Sequence, residues 1–205
     1  MNVRDYKLFA PDNYYHIYNR GNAKQNIFLD NQDFNFFISK LKQNLMPNDE
    51  DKTRMILLPP NSFSIINYCL MPNHFHILLK QNIEIPTSKL LSKLCTSYSK
   101  YFNKKYDRVG HVFQDQFKQV LIDGNSYLVW LSAYIHQNPK VAGLVSKPED
   151  YKWSSYGEFV KGDNGLCDKE IITSQFKSTN DYKKFVESSF EIIKNKKDLE
   201  DLLLD

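Results

Sequence analysis

Residues 63–80 read Phe63-Ser-Ile-Ile-Asn-Tyr-Cys-Leu70, Met71-Pro72-Asn73, His74-Phe-His-Ile-Leu-Leu-Lys80. Two apolar runs rich in β-branched and aromatic residues flank a three-residue break, so both read as strands. The connection is too short for a crossover, which makes the pair antiparallel. On the second strand, residues two apart share a face. His74 and His76 therefore point to one side, while Phe75 and Ile77 point into the core. Two neutral imidazoles at this spacing make half of a divalent-metal site. Two unrelated surface histidines would give the same pattern.

Working outward, Tyr14–Arg20 reads as a strand closed by Gly21. Asp30 or Asn31 starts a helix running to about Leu45, with Phe34, Phe37, Ile38 and Leu41 at helical spacing. Asn48–Thr53 is a polar, acidic loop. After Pro86, Thr87 or Ser88 caps a helix through about Lys105, with Leu90, Leu91, Leu94, Tyr98 and Tyr101 in one stripe. Arg108-Val-Gly110 ends it, and Phe117–Ile122 is a strand. A further helix spans Tyr127 to about Asn138 and stops at Pro139. The last helix starts near Asp181 and carries Phe185, Phe190 and Ile193.

The first six elements run strand, helix, strand, strand, helix, strand. That is the α+β, ferredoxin-like (RRM-like) order: a four-stranded antiparallel sheet with helices on one face and the other face left open. Residues 1–148 form the main domain in this reading. Residues 149–205 form a C-terminal helical extension packed on it.

The 205 residues suit one domain with an appendage. Apolar residues at 41% support a buried core. Rings make up 14% of the chain, more than a core of this size needs, so some are expected on a binding surface. No apolar run approaches the roughly 20 residues of a membrane span, and the first residues lack a signal-peptide stretch. Cys69, Cys95 and Cys167 cannot all pair and read as reduced thiols of a cytoplasmic protein. Residues 145–205 hold 10 basic and 13 acidic side chains, against 17 and 11 in residues 1–144. The basic front is compatible with a polyanionic partner and also with ordinary solvated faces.

In the late helix, Tyr134 and Asn138 stand four apart on one face. The Asn138 amide oxygen could complete a metal site begun by the two histidines, with the Tyr134 hydroxyl beside it. A core tyrosine and a helix-end asparagine would share that spacing.

The chain resembles a known family through several blocks in order. Met71-Pro-Asn-His-Phe-His-Ile-Leu-Leu79 looks like the HUH motif of single-tyrosine transposases. The accompanying blocks are Tyr15-His-Ile-Tyr-Asn-Arg-Gly21, Tyr98-Ser-Lys-Tyr-Phe-Asn103, Arg108-Val-Gly-His-Val-Phe113, Tyr134-Ile-His-Gln-Asn-Pro-Lys-Val-Ala-Gly143 and Tyr151-Lys-Trp-Ser-Ser-Tyr156. Together they resemble the REP-associated tyrosine transposase branch over roughly residues 14–156. One departure is the run Gln114-Asp115-Gln116-Phe117, where many relatives carry an arginine.

The resemblance implies metal-dependent cleavage and rejoining of single-stranded DNA at hairpin or palindromic sequences, through a covalent 5′-phosphotyrosine. His74 and His76 would bind Mg²⁺ or Mn²⁺, Asn138 would stand as the amide ligand, and Tyr134 would be the nucleophile. Tyr98, Tyr101, Tyr127 and Tyr156 are the fallback tyrosines. Tyr14 and Tyr18 offer stacking surfaces on the open sheet face, where such modules accept unpaired nucleic acid. Arg20, Lys100, Lys104, Lys105 and Arg108 could follow phosphates. His16 and His111 are expected to be structural or near the DNA rather than metal ligands. A monomer is expected over a homodimer. The other readings are a non-catalytic nucleic-acid-binding module, a replication initiator or relaxase, and an unrelated metal hydrolase.

Overall fold

In the computed structural model, residues 10–46, 58–162 and 165–202 are described, the last six of these by backbone only. The expected loop at Asn48–Thr53 lies outside them. The chain divides into two units: Met1–Ile65 with Pro72–Ile122, and Ile66–Met71 with Asp123–Asp205.

Four strands form one sheet: β1 (Tyr14–Arg20), β2 (Phe63–Met71), β3 (His74–Gln81) and β4 (Lys118–Ile122), in the order β2-β3-β1-β4. The antiparallel partners of β1 are β3 and β4, with Tyr18 opposite His76, Arg20 opposite His74, and Tyr18 also opposite Lys118. Directly opposed residues share a face. One face therefore carries Tyr14, His16, Tyr18 and Arg20 with His74, His76 and Lys118. The other carries Tyr15, Ile17, Phe75, Ile77 and Leu79, all buried. This is the expected α+β sheet.

Helix α1 (Asn31–Leu45) begins at Asp30, whose side chain accepts from the Gln32 and Asp33 amides. Asp33 accepts in return from the Asp30 amide, closing a capping box. Phe34, Phe37, Leu41 and Leu45 form its buried stripe. Helix α2 (Thr87–Lys105) buries Leu90, Leu91, Leu94, Tyr98 and Phe102. Phe37 meets the Phe75 ring at 5.1 Å and the Tyr98 ring at 5.3 Å. Those contacts place the two helices on the Phe75 side of the sheet.

Thr87 is not a cap. Pro86 holds that position without a side-chain bond, and the Thr87 hydroxyl instead bonds the Gln119 side chain. Tyr101 leaves the buried stripe to Phe102; its ring stacks on Phe36 at 3.9 Å and its hydroxyl donates to Asp33.

In the second unit, the end of β2 is edged by residues 151–155. The Leu70 amide donates to the Trp153 carbonyl, and the Ser155 amide to the Tyr68 carbonyl. Helix α3 (Asn125–Val141) runs through Pro139 rather than stopping before it. Proline removes the backbone bond its nitrogen would have made one turn back, and the helix ends two residues later. The Asn138 side-chain amide adds a bond to the Tyr134 carbonyl at 3.0 Å.

Short helices α4 (Tyr156–Val160) and α5 (Glu170–Thr173) follow. The expected last helix is two: α6 (Thr179–Ser188) and α7 (Phe190–Leu202). They part at Ser189, whose hydroxyl donates to the Phe185 carbonyl and competes with continuous backbone pairing. Helices α6 and α7 both pack on α3.

The core of this unit is a polar chain. His136 on α3 bonds the Tyr182 hydroxyl at 2.7 Å and the Ser155 hydroxyl at 3.0 Å. Tyr182 also meets Ser132, which accepts from Asn67. Burial holds the His136 imidazole down at about 3.

Among the described residues, no helix is long and apolar enough to cross a membrane.

Candidate active site

In the first unit, the His74 and His76 rings lie 5.0 Å apart and perpendicular, on the face that β-strand alternation dictates. A third imidazole joins them. His16 Nε2 lies 2.9 Å from His76 Nδ1, and the two rings stack at 5.1 Å. Tyr18 packs against both, at 5.0 Å from His16 and 5.8 Å from His76. His16 is 8% exposed and His76 is 6% exposed, so this face is not open along its length as expected. The mutual packing of these rings accounts for part of that burial. Desolvation lowers the His16 imidazole to about 4.

His74 is held from the other side. Its Nδ1 donates to Asn73 Oδ1 at 2.6 Å. The Asn73 amide nitrogen donates to the Lys24 carbonyl, which fixes which end of the amide faces the ring. Lys24 sits in a tight turn, where Ala23 and Lys24 both have left-handed backbone, φ 52° and 59°. Gly21 opens that turn, donating its amide to the Asn73 carbonyl. A Cβ on Gly21 would stand 2.2 Å from the Gln25 carbonyl oxygen, so only glycine fits.

Among the described residues, no three His, Cys, Asp or Glu side chains are grouped to hold a metal. As a metal site the histidine pair would supply two nitrogens and would need a further donor. Imidazole nitrogens would hold Mg²⁺, which prefers an all-oxygen shell, less well than Mn²⁺.

Tyr134 and Asn138 lie on α3 of the second unit. Tyr134 is half-buried and Asn138 is 2% exposed. Since the Asn138 nitrogen bonds the Tyr134 carbonyl, its Oδ1 is the atom able to serve as a donor. Three rings run along this helix. Tyr127 stacks on Trp130 at 6.1 Å, and Trp130 stacks on Tyr134 at 5.7 Å. The Lys196 ammonium lies 4.7 Å over Trp130.

The fallback tyrosines have other engagements. Tyr98 is fully buried and donates its hydroxyl to the Ile27 carbonyl; burial raises its pKa. Tyr156 is fully buried, and burial raises its pKa as well. Tyr101 bonds Asp33. Tyr127, 42% exposed, is the outer ring of the α3 stack.

Of the candidate DNA contacts, Tyr14 and Tyr18 are half-buried and Arg20 is exposed, all on the histidine face. Lys100 and Lys104 are exposed along α2. The Arg108 guanidinium lies over the Phe102 ring at 5.3 Å. Lys105 is engaged inside the unit, 2.8 Å from both Asp30 and Asp33. Burial alone would raise the Asp33 carboxyl, but Lys105, the Leu29 amide and Tyr106 outweigh it and lower it. His111 lines a shallow groove with Thr96, Ser99, Lys100 and Asn103, away from the other histidines.

Nothing in the sequence alone singles out Asn73 or Trp130 as a site residue, and His16 reads there as structural or near the DNA. The signal for His16 was its alternation with Tyr14 and Tyr18, which puts all three on one face; that the face is shared with His76 needs the strand register.

These features define a ferredoxin-like module with a paired-histidine face. Residues 52–138, which contain the histidine strand and the Tyr134–Asn138 turn, match the family model described as transposase IS200 like. A curated protein of Haemophilus influenzae, provisionally named a REP-associated tyrosine transposase, is 27% identical over 113 residues. The match covers 49% of this chain and 63% of that protein, less than two thirds of the relative's length. A solved REP-associated tyrosine transposase, bound to a REP hairpin, shares the fold: TM-score 0.56 and 17% identity, over 77% of this chain and 85% of that one. The resemblance to REP-associated tyrosine transposases is borne out, in sequence by the first two and in fold by the third.

Proposed function

We propose that this protein is a transposase that cuts and rejoins single-stranded DNA at hairpin-forming palindromes. Tyr134 is the nucleophile, and His74, His76 and Asn138 hold Mg²⁺ or Mn²⁺. One observation carries the reading: two imidazoles converge on one side of β3, within a segment that matches IS200-like transposases and ends in Tyr134 and Asn138 one helical turn apart. The relative solved with a REP hairpin supports a hairpin substrate.

The Tyr134 oxygen forms a bond to phosphorus as the bond to the 3′ oxygen breaks in line. The phenol gives up a proton and the leaving oxygen gains one. The products are a 5′-phosphotyrosine and a 3′-hydroxyl. The new ester keeps the phosphodiester's energy, so a returning 3′-hydroxyl rejoins the strand without ATP. A bound divalent cation supplies charge neutralisation for the phosphate oxygens in the transition state. With neutral nitrogens among the ligands, binding of that cation is weak and exchangeable.

Arg20, opposite His74 on the same face, contacts a phosphate close to the histidines. Lys100, Lys104 and Arg108 follow the backbone, and the Tyr14 and Tyr18 rings stack on bases. Lys105 contributes least, because two carboxylates already hold it.

The test is incubation with Mn²⁺ and a hairpin-bearing single strand, followed by denaturing electrophoresis. A protein–DNA adduct is expected for the wild type and none for Tyr134→Phe or His76→Ala, with DNA binding retained in both. An adduct that persists in Tyr134→Phe refutes the choice of nucleophile. Binding without any adduct favours the non-catalytic module.

A further inference from the structure

An imidazole can give a metal only the nitrogen that carries no proton, so a histidine pair works as a site only when both rings hold the right tautomer. Both rings here have Nδ1 engaged by a neighbour, and the neighbours differ. At His74 the partner is Asn73 Oδ1, an atom that only accepts. The bond from the Asn73 nitrogen to the Lys24 carbonyl holds the amide in that orientation. His74 therefore carries its proton on Nδ1, and its lone pair is on Nε2.

At His76 the partner is His16 Nε2, which can accept or donate according to its own tautomer. If His16 donates, His76 has its proton on Nε2 and offers no lone pair there. If His16 accepts, His76 matches His74.

We infer that His16 accepts from His76 Nδ1, so that His16 and Asn73 are positioning residues that hold both histidines as Nδ1–H tautomers with Nε2 presented to the ion. This inference rests on the metal-site reading of His74 and His76. It explains why a third imidazole stands 2.9 Å from a ligand ring without forming a three-histidine cage. It also gives the strained Gly21–Gln25 turn a purpose: the left-handed Lys24 backbone supplies the carbonyl that orients Asn73.

The tautomers are readable without metal. In protein labelled with ¹⁵N-histidine, a two-bond ¹H–¹⁵N correlation spectrum of the metal-free state at pH 8 should show His74 and His76 both protonated on Nδ1. Protonation of His76 on Nε2 overturns the inference. Two substitutions then test the consequence by Mn²⁺ titration followed by electron paramagnetic resonance. His16→Leu removes the acceptor and should weaken Mn²⁺ by about 10- to 100-fold, the range for lost outer-sphere partners. His16→Gln keeps an acceptor oxygen near the position of Nε2 and should stay within a few-fold of wild type.

Equal losses in both variants, with native circular dichroism, overturn the inference; so does an unchanged His16→Leu. If His16→Leu does not fold, the wild-type spectrum decides. A wild type that binds no Mn²⁺ refutes the metal reading itself, while the spectrum still settles which ring donates.

Discussion

Trp130 and Tyr134 stack at 5.7 Å with their planes 22° apart, one turn from each other on α3. In the proposed reaction the Tyr134 phenol attacks in line and would gain from being held in one rotamer, a restraint that the stacked indole supplies. Trp130→Ala should slow adduct formation by about 3- to 10-fold, the equivalent of one aromatic pair. Trp130→Phe should recover most of it. Single-turnover rates at saturating hairpin DNA measure both, and unchanged rates in Trp130→Ala would refute the restraint.

Tyr98 serves the fold rather than the chemistry. Its hydroxyl donates to the Ile27 carbonyl in the core. Tyr98→Phe should cost about 1 kcal/mol of stability, one hydrogen bond's worth, and leave the adduct yield unchanged. Urea unfolding and the adduct assay together check this.

The cations of α2 should separate by salt dependence. Lys100→Ala and Lys104→Ala should each lower the slope of log affinity against log salt by about one. Lys105→Ala should leave the slope unchanged and lower stability, by about 1–3 kcal/mol, because Asp33 is buried and loses a partner. Binding isotherms at three salt concentrations discriminate the two outcomes.

Acid should destabilise the protein before its carboxylates titrate. Burial lowers His136 to about 3 and His16 to about 4. A base whose folded value lies below its unfolded value, about 6.5, binds fewer protons when folded. Its contribution is complete above about pH 6.5 and is lost as the pH falls toward the folded value, at up to about 1.4 kcal/mol per pH unit for each group. The melting temperature should therefore fall between pH 7 and pH 5. His136→Gln should be less stable at pH 7.5 and show roughly half the slope, since one of two such histidines is gone.

Gly21→Ala should act at a distance of several residues. The added methyl meets the Gln25 carbonyl, so the turn that carries Lys24 must move. Asn73 then loses its anchor, and Mn²⁺ affinity should fall by about 10-fold. Gly143→Ala, at φ 70° with nothing near its Cβ, strains the backbone elsewhere and should leave Mn²⁺ affinity intact. Titration of both variants tests the path.

Local chemistry alone determined much of this protein. Strand alternation put His74 and His76 on one face and Phe75 on the other. Helical spacing put Tyr134 and Asn138 one turn apart, and apolar periodicity marked α1 and α2. Such patterns are legible because backbone geometry repeats every 2 or 3.6 residues whatever the rest of the chain does.

The tertiary structure decided what depends on partners far apart in sequence. His16 meets His76 across 60 positions, and only the β1–β3 register brings them together. Lys105, which looks like a phosphate contact from the sequence, is captured by Asp30 and Asp33 more than 70 positions earlier. Helix α3 groups with the C-terminal helices because His136 finds its partners in Ser155 and Tyr182. No local window contains both members of these pairs, and the desolvation of a buried polar group, which makes each pairing obligatory, exists only once the chain has folded.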